Sequence, residues 1–410
     1  MTSLTATQQE VAKTLLSTLG SHSVVLLSGA GGTGKTFTLT RAFDGYKVLY
    51  LAPTHAAVDV LKGMGSEADT FKTCHSVTGW FPTGFRKVSL DVFNTHDVVV
   101  VDESSMLEER MTNKLIELCQ LSNTPLIFSG DHCQLPSVED NFNVFDMEYP
   151  MLELSENMRF ANTSGGIAKV AETMRHKINN GVNAAFRIPD LDEWTDVTTL
   201  SITQWRSSIK EAYLNDADFV VLAADHESLR QVRKLIAGDA YLFSAGQVVR
   251  CLDTHSKFKN GQQDVVAEAS EPFEELHDWA LKSDRIYAAR PKWLPLEEWK
   301  SGLVAFNYQT VVFESGETVK VPADALTATK MKNLSKKLNR KAVKTKQFDL
   351  SCLATVHSSQ GRSFDTVYIH TSSVLVRAGL YKMHGAGRNH NRLVYVACSR
   401  ARNELILVQY

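Results

Sequence analysis

Gly29-Ala30-Gly31-Gly32-Thr33-Gly34-Lys35-Thr36 leaves this chain few ways to fold. Four glycines in six residues stabilise neither helix nor strand by themselves. The apolar run Val24–Ser28 ahead of them reads as a buried strand, and a helix is expected from about Lys35. A glycine-rich loop at that junction turns successive backbone N–H groups toward one point, and the helix terminus adds partial positive charge there. Such a loop is built to cradle phosphate. Lys35 is expected to reach the β- and γ-phosphates, and the Thr36 hydroxyl to ligate Mg²⁺.

Val98-Val99-Val100-Val101-Asp102-Glu103 supplies the complement. A carboxylate ending a buried strand beside a phosphate loop is placed to hold Mg²⁺, which gives Asp102 its role; Glu103 is placed to polarise a water. The two motifs predict a nucleoside-triphosphatase but not what its turnover drives.

Short apolar runs recur through the first half at Val24–Ser28, Lys47–Leu51, Val98–Val101 and Leu126–Phe128. They do not alternate with polar residues, as expected of parallel strands covered on both faces. The stretches between them are long enough for crossover helices, so the class is α/β and doubly wound. A second series, Phe219–Ala223, Cys352–Thr355, Thr366–Ile369, Val394–Ala397 and Leu405–Val408, reads as a second sheet of that class.

Residues 245–348 interrupt the second series. An acidic stretch (Glu268, Glu271, Glu274, Glu275, Asp278) precedes Trp279, Trp293 and Trp299. A β-like run, Leu303–Leu326, follows, with a hairpin turn expected at Glu314-Ser315-Gly316-Glu317. The tract from Lys330 to Lys346 holds seven lysines, Arg340 and no acid. It reads equally as a phosphate-binding surface or a solvated face. The segment is expected to be a small β-rich insertion.

A length of 410 residues fits two or three domains at the usual ~150 each. Hydrophobic residues at 43% and charged ones at 22% exclude disordered and fibrous classes. No apolar run approaches the ~20 residues that cross a bilayer, and Met1–Glu10 lacks a signal peptide's apolar core. Six dispersed cysteines without a Cys-x-x-Cys pair argue against a disulfide framework or a zinc site, and for a reducing compartment. The net charge of −2 does not by itself announce a nucleic-acid binder.

Further motifs narrow the class. Ala52-Pro53-Thr54-His55-Ala56-Ala57, Thr73-Cys74-His75-Ser76, Gly130-Asp131-His132-Cys133-Gln134-Leu135-Pro136 and Glu156-Asn157-Met158-Arg159 follow in order. Ala354-Thr355-Val356-His357-Ser358-Ser359-Gln360-Gly361 and Val394-Tyr395-Val396-Ala397-Cys398-Ser399-Arg400-Ala401-Arg402 stand far downstream. In this order the set resembles the superfamily 1 helicases, most of all the Dda helicases of T-even phages and the RecD-type helicases. The likeness runs from about Leu4 to Val408 and is weakest over 245–348.

The resemblance implies two RecA-like P-loop NTPase domains with small β-rich insertions. Residues 1–160 would be the first, ATP-binding domain, with a β-hairpin pin at about 77–96. Residues 161–244 and 349–410 would be the second, with 245–348 inserted as an SH3-like domain. ATP would sit between them on Gly29, Gly31, Gly32, Thr33, Gly34, Lys35 and Thr36, with Gln360 and Gly361 facing it from the second domain. Gln134 would sense the γ-phosphate, and Arg159 and Arg400 would be arginine fingers. Gln8 matches the residue that reads the adenine edge, but Thr5-Ala6-Thr7-Gln8 is equally a helix capping box.

Single-stranded DNA would run over Pro53, Thr54, His55, Thr73, His75 and Ser76 on the first domain and Thr355 and His357 on the second. Hydroxyls, helix ends and neutral histidines hold a backbone without a large basic charge. In Gly79-Trp80-Phe81-Pro82-Thr83-Gly84-Phe85-Arg86-Lys87, Phe81 or Phe85 would be a wedge that splits duplex, or Trp80 would simply pack beneath the loop.

The expected protein is thus an ATP- and Mg²⁺-dependent DNA helicase of 5′-to-3′ polarity, acting at single-strand and duplex junctions in replication, repair or recombination. It is expected to have a monomeric core, to meet replication or recombination proteins, and to work in bacterial or phage-infected host cytoplasm without contacting membrane. The rivals are a viral-type RNA helicase of the same superfamily and, from another class, a P-loop small-molecule kinase.

Overall fold

The protein is described from a computed structural model. It covers residues 3–81, 84–137, 140–156, 165–182, 194–239, 241–252, 258, 262–278, 296–301, 303–337, 348–375 and 387–408. Two compact units emerge: residues 1–229 with 354–410, and residues 230–353.

The first unit holds two sheets. In one, β1 (Val24–Gly29), β2 (Val48–Ala52), β3 (Thr70–Thr73), β6 (Val98–Val101), β7 (Leu126–Gly130) and β8 (Met151–Leu154) lie in the order β3-β2-β6-β7-β1-β8. Between β3 and β6 in the chain, β4 (Trp80–Phe81) and β5 (Gly84–Phe85) form a small antiparallel pair. All pairings in the six-stranded sheet are parallel. Every residue of β1, β2, β6 and β7 is buried. This explains their continuous apolar sequences, because helices cover both faces.

The other sheet runs Leu353–Thr355, Phe219–Ala223, Phe364–Ile369, Ala401–Val408, Val197–Leu200 in lateral order. One expected strand is helix instead. Val394–Ala397 lies inside the helix Gly387–Cys398, with all four residues buried. Four apolar residues in a row fit a strand or a helix buried all round equally well, and here the second won. β3, β8 and Val197–Leu200 lack a continuous apolar run; each lies at the edge of its sheet and is only partly buried.

The second unit is built on an antiparallel sheet: Phe273–Asp278, Leu303–Phe313, Gln263–Ala269, Val248–Cys251, Phe348–Leu350, with Thr318–Pro322 also pairing Leu303–Phe313. The Glu314–Glu317 turn joins that last pair, with Gly316 at φ +82°. Phe258, Phe313 and Phe348 pack with ring centroids 5.0–5.3 Å apart. Lys330 opens the basic tract but does not face solvent. It is 4% exposed and donates to Glu298 and to the Ala305 carbonyl. The helix Ala325–Lys337 carries the tract onward, and residues 338–347 lie outside the described residues.

Candidate nucleotide and nucleic-acid sites

β1 delivers the phosphate loop, and the helix Lys35–Ala42 begins at Lys35. Gly34 caps that helix at φ +77°, a left-handed conformation that favours glycine. A Cβ there would lie 2.6 Å from the Gln8 side chain. Gln8 completes the capping box with Thr5 and also donates Nε2 to the Thr33 carbonyl at 3.2 Å. Both ends of its amide are therefore engaged by the protein, tying the first helix to the loop. The Lys35 ammonium donates to the carbonyls of Gly29 and Ala30, at 2.8 and 3.2 Å.

Thr36 Oγ1 donates to Asp102 Oδ2 at 2.9 Å, and Ser129 Oγ donates to Asp102 Oδ1 at 3.0 Å. Thr36 and Asp102 thus present two hard oxygen donors of the kind Mg²⁺ prefers, side by side under the loop. The donor set fits that ion.

Glu103 follows with φ +51°, rare for a residue with a Cβ and costing about 1–2 kcal/mol. Strain of this kind persists where neighbours hold it. Burial pushes its carboxyl above the usual glutamate range, Asp102 adds to the rise, and Lys35 and Arg400 partly offset it. Its Oε2 is buried without a hydrogen-bond partner, as is Oε1 of Gln134. Two orphaned acceptors of this sort are costly without a ligand or water to satisfy them.

The second sheet closes on this carboxylate. Gly361, at φ +73°, lies against the Glu103 side chain: a Cβ there would be 3.5 Å from Oε1. Gln360 Nε2 donates to the Leu135 carbonyl at 3.3 Å. Arg400 is 2% exposed, and its guanidinium donates to the carbonyls of Val396 and Arg362 and to Ser399 Oγ. The fold therefore brings Lys35, Thr36, Asp102, Glu103, Gln360, Gly361 and Arg400 together. Arg159 lies outside the described residues.

The polar motifs share one construction. Thr54 caps the helix His55–Lys62 by accepting from Ala57 N–H at 3.2 Å, with Pro53 just ahead of it. Thr73 caps Cys74–Thr78 by accepting from Ser76 N–H at 3.3 Å. Thr355 accepts from Ser358 N–H at 3.2 Å, and His357 opens the short turn that follows. Thr73 and Thr355 end strands and Thr54 follows one by two residues; His55, His75 and His357 each lie in the first turn of the helical segment that comes next. The His75 ring stands edge-on to Trp80 at 4.9 Å; partial burial first, then the neighbouring His55, lower its pKa. Trp80 and Phe85 are half-buried against the first sheet's core, and Arg110 lies 5.7 Å from the Phe85 ring. Pro82 and Thr83 lie outside the described residues, as does the side chain of Phe81.

Sequence reasoning passed over the turn after β7 apart from Gln134. Asp131, His132 and Cys133 bring three potential metal-ligand atoms within 4.8 Å of one another, but protein partners engage them. Asp131 meets Arg175 and Tyr395; His132 bridges Ser28 and Asn179; Cys133 donates to Asn179. Arg175 stands outside all the motifs, so no local signal marked it.

A phosphate loop, a carboxylate pair and a second parallel sheet meeting them define a two-domain P-loop nucleoside-triphosphatase fold. A family model described as an AAA domain matches residues 3–188, and one described as the viral superfamily 1 RNA helicase core domain matches residues 304–409. An uncharacterised protein of Acanthamoeba polyphaga mimivirus is 28% identical over 162 residues, covering 32% of this chain and 33% of that protein. The ATP-dependent RecD2 DNA helicase of Deinococcus radiodurans is 31% identical over 147 residues, covering 35% of this chain and 19% of that protein. The match thus spans no more than about a third of either relative. Among solved structures, Pif1 helicase from Bacteroides in complex with ADP-AlF3 and single-stranded DNA has the same fold. Its TM-score is 0.54 at 16% identity, over 99% of this chain and 92% of that one. Fold, motif order and these matches agree on the superfamily 1 helicases as the proteins this chain is similar to.

Proposed function

We propose that the protein is an ATP- and Mg²⁺-dependent DNA helicase that moves 5′ to 3′ along single-stranded DNA. In this reading residues 1–160 form one motor domain, 161–244 with 349–410 the other, and 245–348 an insertion. The observation that carries it is the meeting of Gly361 and Arg400, from the second sheet, with the strained, buried Glu103 of the first. Residues divided between two domains complete one hydrolytic site, so turnover and domain movement are linked.

Lys35 neutralises charge on the β- and γ-phosphates, with the loop N–H groups around them. Mg²⁺, held by Thr36 and Asp102, would supply further charge neutralisation there. Glu103, more basic than an ordinary glutamate, takes a proton from the water that attacks the γ-phosphorus as the bond to the ADP oxygen breaks. Arg400 and Arg159 stabilise the charge on the transferring group, and Gln134 reports its presence. The threonine caps and their histidines hold the strand on both domains, and opening and closing between them moves it.

Polarity rests on likeness to the Dda and RecD branch. The match of residues 304–409 to a viral RNA helicase model favours RNA as the second reading. Strand displacement on DNA and RNA duplexes carrying a 5′ or a 3′ tail, with and without ATP, separates them. ATP-dependent opening of 5′-tailed DNA is expected; opening of RNA alone, or of no substrate, overturns the proposal.

A further inference from the structure

The turn that carries Gln134 is bound into the second half of its unit through one fully buried carboxylate. Asp131 Oδ1 accepts from Cys133 N–H at 3.0 Å and from Arg175 Nη1 at 2.5 Å, and Oδ2 accepts from the Tyr395 hydroxyl at 2.6 Å. The Asp131 carbonyl accepts the Gln134 N–H at 2.9 Å, which shapes the turn. Tyr395 belongs to the helix Gly387–Cys398, which leads directly into Arg400. Arg175, from the helix Gly166–Asn179, also donates Nη2 to Glu153 at 3.1 Å. Glu153 is in β8, opposite Ser28 at the base of the phosphate loop. Burial raises the Asp131 carboxyl's pKa, but Arg175, Lys35 and the bonds from Tyr395 and Cys133 bring it below the usual aspartate range. It stays ionised.

We propose that Asp131, Arg175 and Tyr395 are a coupling element that holds Gln134 and Arg400 in register, making Arg175 and Tyr395 positioning residues for hydrolysis. A buried ion pair that served stability alone would need only charge balance or apolar replacement. This one uses the geometry of the guanidinium fork, which reaches two carboxylates from different elements at once, as a lysine does not. Arg392 adds a parallel tie from the same helix to the turn, donating to the His132 carbonyl at 3.1 Å. The inference deepens the proposed function and rests on it for the roles of Gln134 and Arg400.

Steady-state ATPase of the full chain tests it. Tyr395→Phe removes one hydroxyl and leaves the ring, and should lower kcat about tenfold while KM for ATP stays within about twofold. Arg175→Lys keeps the charge but loses the fork, and should do the same. The double variant should fall little further than the worse single one, because both act through Asp131. A folded Tyr395→Phe with undiminished kcat overturns the coupling, as do losses that multiply in the double variant. A kcat loss matched by equal loss of ATP affinity and melting temperature reduces the network to a structural role. Should Tyr395→Phe fail to fold, Arg175→Lys carries the same test. Wild-type turnover indifferent to single-stranded DNA would defeat the helicase reading and leave this kcat-against-KM comparison intact, so the two failures are distinguishable.

Discussion

The nucleotide pocket and the threonine caps solve opposite problems with neighbouring parts of the same sheets. In the pocket, Glu103 Oε2 and Gln134 Oε1 are buried and unpartnered, and Glu103 is held in a left-handed backbone. At the caps, each threonine hydroxyl satisfies a backbone N–H three residues on, and Thr54 and Ser76 are exposed. The pocket carries unmet demand that a ligand relieves. The caps are complete by themselves and suit a polymer that must be gripped and released. Tight, charge-driven binding suits a fuel; weak, repeated polar contacts suit a track.

Disturbing the pocket should have the largest effect. Lys35→Ala should lower ATP turnover by at least about a thousandfold, because it removes the fixed charge at the phosphates. Glu103→Gln should bind ATP and stall, since an amide does not accept the proton. Nucleotide binding measured beside turnover separates the two, and near-normal turnover in either would dissolve the contrast from the pocket's side.

The pocket should also show in pH. Glu103 is pushed above the usual glutamate range in the free protein, so the acid limb of kcat/KM should lie above that range and drop about tenfold for each pH unit below it. Glu103→Gln should flatten that limb in what activity remains. Asp131 shifts the other way. Its lowered pKa contributes stability that is present above the unfolded value of about 3.9 and lost as pH falls through the folded one. Acid unfolding followed in Asp131→Asn should lack that component.

At the caps, effects should be smaller and graded. Thr54→Ala should cost about 1 kcal/mol of stability through the lost helix cap, and Thr355→Ala about as much through the lost bond from Ser358 N–H. Each should weaken single-stranded DNA binding with ATP affinity unchanged, read by titration at fixed salt. A cap variant that loses ATP binding would show that the two regions are not separable. The smallest effect concerns the hairpin. Phe85 is half-buried against the core and beside Arg110, which suits a base better than a tip. Phe81→Ala should change stability by no more than roughly 0.5 kcal/mol yet slow duplex opening, with DNA-stimulated ATPase spared. Unchanged strand separation would remove Phe81 as a wedge.

What could be read from the sequence follows how local each constraint is. The phosphate loop and the valine strand into Asp102 and Glu103 are each fixed within a few residues, so spacing alone disclosed them; Thr54, Thr73 and Thr355 were reached through the resemblance to superfamily 1 helicases, and their capping bonds came only with the fold. The strands with continuous apolar runs were legible for the same reason. Val394–Ala397 was not, because burial on every side erases the period that tells helix from strand. Edge strands β3 and β8 were hidden by their mixed polarity. Arg175 was invisible because its meaning comes from Asp131, Glu153 and Tyr395, which only the folded chain assembles.

If residues from both sheets complete one hydrolytic site, a bound strand should control its turnover. ATPase measured with and without single-stranded DNA, in the wild type and in Arg400→Ala, tests it most directly. Single-stranded DNA should stimulate the wild type strongly. The Arg400→Ala variant should keep its ATP affinity and lose roughly a thousandfold of the stimulated rate. Turnover that ignores nucleic acid, or an Arg400→Ala variant stimulated like the wild type, would contradict it.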